Sequence, residues 1–302
     1  MIFDISMRSI YKIMFFFSVA LTITAAVLVA VFGLRLGVDF KGGSVMEIVF
    51  NAQKPSIAEL KSALSSIPGV VDINISPVGD NGALVKLNEI SEQTHQEILK
   101  TLSKKFGEIT EKRFDSIGPT IGKELRNKSI TAILVLLLAI VVYIAIVFRK
   151  LSAVLSPWAM GFAAVAALAH DILVPTGVFV LLGHYFNVEI TAVFLAAALT
   201  ILGYSISDSV VVFDRIRENV LRFGAKENFG ETVHRSIMQT LVRSMNTTFT
   251  TLLSLIAIYF FGGESVKYFA LALMVGIFCG AYSSIFIASP ILVWWGRRNR
   301  KK

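Results

Sequence analysis

Charge is scarce in this chain. Asp, Glu, Lys and Arg make up 17% of its 302 residues, against about 25% in a soluble protein of this size. Hydrophobic residues reach 55% and the mean hydropathy is +0.69, which excludes a pair of ordinary soluble domains. The single cysteine, Cys279, lies in an apolar block, so no internal disulfide can form. Nucleotide hydrolysis lacks its machinery. Gly118-Pro119-Thr120-Ile121-Gly122-Lys123-Glu124 has three residues between its glycines where a phosphate loop needs four, and Glu124 replaces the metal-binding Ser or Thr. The His-Glu-x-x-His spacing of zinc hydrolases is missing, and no metal site or cofactor is expected. Asp171 and Asp208 lie in apolar segments but lack the Gly-x-Gly-Asp or Tyr-Asp setting of an intramembrane protease.

The apolar residues are gathered into blocks long enough for the ~20 residues that a ~30 Å hydrocarbon core requires. Six are read: Ile13–Leu34, Ser129–Phe148, Leu151–Leu182, Val188–Phe213, Met245–Phe261 and Phe269–Trp295. The third contains Pro157 and Pro175, which predicts a tilted or kinked helix whose start lies at the interface. The first follows Arg8 and Lys12, is too long for a signal-peptide core, and has no A-x-A site before Gly33, so an uncleaved span is expected.

Cations set the orientation. Arg8 and Lys12, then Arg149 and Lys150, then Arg215, Arg217, Arg222, Lys226, Arg235 and Arg243, and finally Arg297, Arg298, Arg300, Lys301 and Lys302 fall on one side. The alternate short loops carry only Lys267. Both termini (residues 1–36 with the first span, and a tail at 296–302) are therefore expected to begin and end in the cytoplasm, with a cytoplasmic loop at 214–244. The net charge of +8 is explained by these anchors touching anionic lipid, not by nucleic acid.

Residues 37–128 have soluble character and are expected outside. Ser44–Phe50 reads as a strand. Ser56 with Glu59 forms a capping box opening a helix with Ile57, Leu60, Leu64 and Ile67 on one face. Val71, Ile73 and Ile75 alternate as a second strand, and Asp80-Asn81-Gly82 turns into a third carrying Ala83, Val85 and Leu87. Ser91–Phe106 is a second helix and Glu108–Ser116 a last strand. The order βαββαβ is ferredoxin-like. His95, alone on its helix, reads as a solvated surface residue.

The informative residues are polar groups inside apolar spans. An aspartate at the centre of a span costs at least ~2.5 kcal/mol, so it is kept for a reason. Asp171 follows His170 in the third span, with Ala163, Ala164 and Ala167 nearby on its helix. Asp208 lies in the fourth among Ser205, Ser207 and Ser209. Arg243, Asn246, Thr247, Thr250 and Ser254 form a polar stripe along the fifth. Were that stripe to face Asp208, acid and base would form a buried pair. Burial disfavours a carboxylate and a guanidinium favours it, so movement of the arginine would switch a proton on or off. The plainer alternative makes Asp208 a shallow partner of an anchoring Arg243. In the sixth span Ala272, Gly276, Gly280, Ser284 and Ala288 put a small residue at every fourth position, a surface for close helix packing. The loop Arg217–Arg243 has Val233, Ile237 and Leu241 on one face, which predicts an interfacial amphipathic helix.

Four segments together resemble one family. They are Asp39-Phe40-Lys41-Gly42-Gly43, Gly118-Pro119-Thr120-Ile121-Gly122, Ala169-His170-Asp171, and the run from Gly203 to Asn219 containing Ser205-Ile206-Ser207-Asp208-Ser209. The chain is similar over nearly its whole length to the smaller subunits of the SecD/SecF protein-export family, in the resistance-nodulation-division superfamily. Ser207 and Ser209 stand where family members usually have Asn and Thr. The resemblance implies a bacterial cytoplasmic-membrane protein that pairs with SecD and works with the SecYEG channel and other accessory Sec membrane proteins. Together they help an exported polypeptide leave the channel at the expense of the proton-motive force. It implies Asp208 as proton carrier, Arg243 as its partner, and Asp171 as a further polar position; a sodium ion is the alternative coupling ion. It also implies that six spans are half of a twelve-span bundle. The rival reading is a superfamily exporter of small molecules or lipids, and a third is a scaffold whose polar cluster only holds helices together.

Overall fold

The computed structural model describes residues 9–51, 54–149, 156–223 and 228–299. Arg8, Lys150, Lys226, the tail cations from Arg300, and the expected start of the third span at 151–155 lie outside the described residues. Two compact units emerge, one from residues 36–130 and one from the segments on either side.

The smaller unit opens with α2 (Val38–Lys41), following α1 (Ser9–Phe32) of the helical unit. Then come β1 (Gly43–Phe50), α3 (Ile57–Ser65), β2 (Asn74–Val78), β3 (Gly82–Leu87), α4 (Glu92–Phe106) and β4 (Ile109–Ile117). The sheet order is β2-β3-β1-β4, every pair antiparallel, which is the ferredoxin-like arrangement of two interleaved βαβ halves. Alternate residues of β1 and β3 face one layer: Met46, Ile48, Phe50, Ala83, Val85 and Leu87 pack against Leu60, Leu64, Ile98 and Leu102 of the two helices. The capping box forms as read, with Ser56 accepting from the Glu59 amide at 3.3 Å and donating its own amide to the Glu59 carboxylate at 2.9 Å.

Two local expectations fail. Ile57 is exposed, because the first helical residue points away from the seam that Leu60, Ala63 and Leu64 fill. The second strand starts later than its alternation suggested. Val71 is exposed and Asp72 is left-handed at φ +55°, so the chain bends there before pairing begins at Asn74.

The motif segments of this unit interlock by backbone contact. A Cβ on Gly42 would fall 2.7 Å from Pro119 Cα, one on Gly122 2.8 Å from the Gly42 nitrogen, and one on Gly43 2.7 Å from the Leu87 oxygen. Gly42 and Gly43 also have φ of +84° and +131°, which L side chains rarely adopt. Asp39 sits on the short α2 beside this contact.

The helical unit continues with α5 (Pro119–Val147), α6 (Pro157–Phe186), α7 (Ala192–Phe223), α8 (Phe229–Phe261), α9 (Glu264–Ser283), a π-helical turn at Ser284–Ala288, and α10 (Ser289–Asn299). Among the described residues six helices are long and apolar enough to cross a membrane, the sixth including the π turn. Pro157 occupies the first turn of α6, where its missing N–H costs nothing, and Pro175 lies inside that helix. The core runs through Met160, Ala163, Ala164 and Ala167 of α6, Leu202, Val212 and Phe213 of α7, Ala288 at the end of the π turn and Leu292 of α10.

Among the described residues of Arg217–Arg243 the separate interfacial helix that was expected is absent. The segment instead lengthens the two neighbouring helices into α7 and α8. Val233 and Ile237 are fully buried against the extension of α7, and Asn219 donates to Ser236 at 2.8 Å and Gln239 at 2.9 Å. An apolar face at helical spacing fits any apolar surface, and here that surface is protein.

Candidate functional site

The small-residue series performs as its spacing suggests. A Cβ on Gly276 would lie 2.2 Å from Cδ1 of Ile201, and one on Gly280 2.9 Å from Cβ of Ser205. Glycines thus let α9 touch α7 nearly backbone to backbone, and that approach carries polar side chains into one buried cluster.

Asp171, near the middle of α6, is completely buried. Its Oδ2 accepts from Ser205 of α7 at 2.5 Å and from Ser283 of α9 at 2.8 Å. Its Oδ1 has no hydrogen-bond partner among the described residues. Asp208, near the middle of α7, is half-buried and accepts from Ser244 of α8 at 2.5 Å through Oδ1. Ser209 pairs with Ser284 at 3.1 Å, both buried. Four helices therefore contribute to a pair of acids with hydroxyl partners. Such a cluster can hold a proton or a small cation and can change partners when helices shift.

The expected acid–base pair does not form. Arg243 is exposed and makes no ion pair with Asp208, although its charge reaches that carboxyl. Asn246, Thr247 and Thr250 are exposed along with it on α8, and Ser207 is exposed on α7. The inward face of α8 is the adjacent series Thr240, Ser244 and Thr248, all buried. One residue along a helix turns the side chain by about 100°, so two overlapping polar series compete for one seam. The series that fits is the uncharged one.

Sequence reasoning missed Ser244 and Ser283, which hold the two carboxyls. Ser244 follows Arg243 and was masked by it. Ser283 precedes a member of the small-residue series, and nothing in one sequence marks the π turn that brings both Ser283 and Ser284 inward. Among the described residues no cluster of three or more His, Cys, Asp or Glu could hold a metal.

In the smaller unit His95 is 5% exposed, not solvated. Its ring stacks on Phe114 with centroids 3.8 Å apart, Nε2 meets Glu111 at 2.8 Å, and Nδ1 meets Glu92 at 3.2 Å. It joins α4 to β4, a structural contact far from the membrane acids in sequence.

Known proteins resemble this chain over most of its length. The family described as "Protein export membrane protein SecD/SecF, C-terminal" matches residues 97–298, and the "SecD/SecF GG Motif" matches residues 27–54, which include Asp39, Gly42 and Gly43. The chain is 43% identical to the protein translocase subunit SecF of Thermobaculum terrenum, covering 93% of this chain and 91% of that one. It is 39% identical to the same-named subunit of Anaerolinea thermophila over the same shares. The crystal structure of SecDF, a translocon-associated membrane protein from Thermus thermophilus, superposes on 95% of this chain with a TM-score of 0.81 at 35% identity. The chain spans only 38% of that longer protein.

Proposed function

The chain belongs to the SecD/SecF protein-export membrane protein family, and we propose that it is an accessory subunit of the Sec translocase. With a SecD partner it uses the proton-motive force to promote late export of polypeptides across the cytoplasmic membrane. The observation that carries this reading is Asp208. It is a half-buried acid at the middle of a membrane-length helix, held by one hydroxyl from α8 and within reach of the Arg243 charge. An acid kept where it costs at least ~2.5 kcal/mol, beside a second buried acid, is suited to load and release an ion. Asp171 and its serine partners serve as the inner part of that path. The protein acts without an ATPase motif and needs no cofactor beyond the coupled ion.

The partner is supported by the face that this chain leaves polar. Arg243, Asn246, Thr247 and Ser207 are exposed on helices long and apolar enough to cross a membrane, and an arginine facing lipid at the centre of a span costs ~2.5–3.5 kcal/mol on the insertion scale. A second six-span half, supplied by SecD, would cover it. SecYEG and a translocating polypeptide complete the assembly, and the cations flanking the spans favour anionic lipid and the cytoplasmic placement of the termini.

The test is Asp208→Asn in the assembled translocase. The variant is expected to insert and pair normally while gradient-stimulated export is lost. Export that still responds fully to the proton gradient would refute the coupling role, and a response to a sodium gradient instead would reassign the ion. Photo-crosslinking from the smaller unit separates the exporter reading, which requires capture of small hydrophobic compounds in place of secretory polypeptide.

A further inference from the structure

One buried titratable side chain takes no part in the proposed ion path. His170 is 1% exposed and immediately precedes Asp171. Asp171 faces α7 and α9, whereas His170 bonds Thr22 of α1 through Nδ1 at 2.6 Å and the Tyr282 hydroxyl of α9 through Nε2. The hydrogen-bond pattern assigns the direction of each bond. Thr22 Oγ1 also lies 2.8 Å from the Ser18 carbonyl, which can only accept. The single Thr22 hydrogen therefore goes to Ser18, so the ring donates from Nδ1 to Thr22 and accepts the Tyr282 hydrogen at Nε2.

Two consecutive residues of α6 thus meet two consecutive residues of α9. His170 holds Tyr282, and Asp171 holds Ser283. The next residue, Ser284, begins the π turn, where the helical ladder is rearranged. Ser283 has two acceptors for its one hydrogen: Asp171 Oδ2 at 2.8 Å and its own Gly280 carbonyl at 3.3 Å. A small rotation of this turn of α9 decides which of them receives it.

We propose that His170 is a positioning residue for the Asp171 carboxyl. It pins Tyr282, keeps the Ser283 hydroxyl on Asp171 and off Gly280, and ties the assembly to α1 through Thr22. The functional consequence rests on the coupling role given above to the acid cluster, whereas the positioning itself can be read without transport.

The experiment uses the complete chain in lipid with its partner, and follows the Asp171 carboxyl band by infrared spectroscopy, identified by subtraction of Asp171→Asn. Ser283→Ala gives the reference shift for loss of one hydroxyl. Tyr282→Phe removes a single oxygen and is expected to move the band in the same direction. His170→Gln keeps an acceptor near the position of Nε2 and is expected to stay near the wild-type band, whereas His170→Asn keeps only the Thr22 bond and is expected to shift. A Tyr282→Phe band at the wild-type position, or equal bands for Gln and Asn at position 170, overturns the proposal. Gradient-dependent export is expected to fall in Tyr282→Phe and His170→Asn and to be retained in His170→Gln. If Asp208→Asn shows that export is uncoupled from these acids, the infrared result still stands or falls alone.

Discussion

Gly276→Ala tests whether glycine at the α7–α9 seam is a packing requirement. The new methyl would lie 2.2 Å from Cδ1, 2.5 Å from Cγ1 and 2.9 Å from Cγ2 of Ile201, where carbon atoms in contact are normally ~3.5–4.0 Å apart. All three branch atoms clash, so turning the end of the side chain relieves little. Ile201 is 1% exposed and β-branched, with one strongly preferred rotamer in a helix. The helices must part by roughly 1 Å, and overpacking of this kind costs about 1–3 kcal/mol. Ile201→Ala alone empties the site and costs about 2–5 kcal/mol. In the double variant the added methyl meets none of the three clashing atoms and fills part of the void. The two changes should therefore couple favourably by about 0.5–3 kcal/mol. Reversible unfolding in mixed detergent micelles with rising dodecyl sulfate, followed by circular dichroism, gives the four free energies. Strict additivity, or a Gly276→Ala protein as stable as the parent, would refute the argument.

The smaller unit supplies two more predictions. His95→Ala leaves Glu111 at the α4–β4 contact without the ring that meets it, and should cost about 1–3 kcal/mol of local stability; hydrogen exchange of the α4 and β4 amides in the full chain should accelerate, and unchanged rates would count against the contact. The Ser56 hydroxyl, followed by its amide, holds the Glu59 carboxyl below its ordinary range. A depressed folded value means that the stabilisation is present above the unfolded pKa of roughly 4.3 and is lost as pH falls through the folded value. Protection of the first turn of α3 should therefore weaken on acidification below about pH 4 in the parent and change far less in Glu59→Gln.

Much of this architecture was legible because it depends on local rules. Span lengths, the Ser56–Glu59 box and the Asn81-Gly82 turn are all set by neighbours in sequence. The misses share a physical cause, which is competition between surfaces that a single sequence does not rank. Arg243 with Asn246 and Thr247, and Ser244 with Thr240 and Thr248, are overlapping helical series, and only the shape of α7 decides which turns inward. Val233 and Ile237 fit a membrane surface and a protein core equally well until α7 is known to extend beneath them. His95 finds its carboxylate sixteen residues away on another element, at Glu111, a pairing no helical periodicity can report. Asp171 and Asp208 were visible as misplaced charges, but the serines that hold them were not, since serines in spans often bond their own helix.

The π turn at Ser284–Ala288 has a consequence for how the sixth span winds. Four residues advance an α-helix by about 400°, so a small residue at every fourth position slides around the axis by about 40° at each step. From Ala272 through Gly276 and Gly280 to Ser284 that slide accumulates, and a straight α-helix would carry Ala288 off the seam. A turn that closes on the fifth residue makes the same step fall short of a full circle and winds the series back, so Ser284 and Ala288 are both fully buried. The turn acts as a phase correction in the helix. Removing one residue from it would let the segment close as ordinary α-helix, with four residues covering nearly the rotation that five cover now, so Leu292 and Val293 would keep their place in the core while the correction is lost.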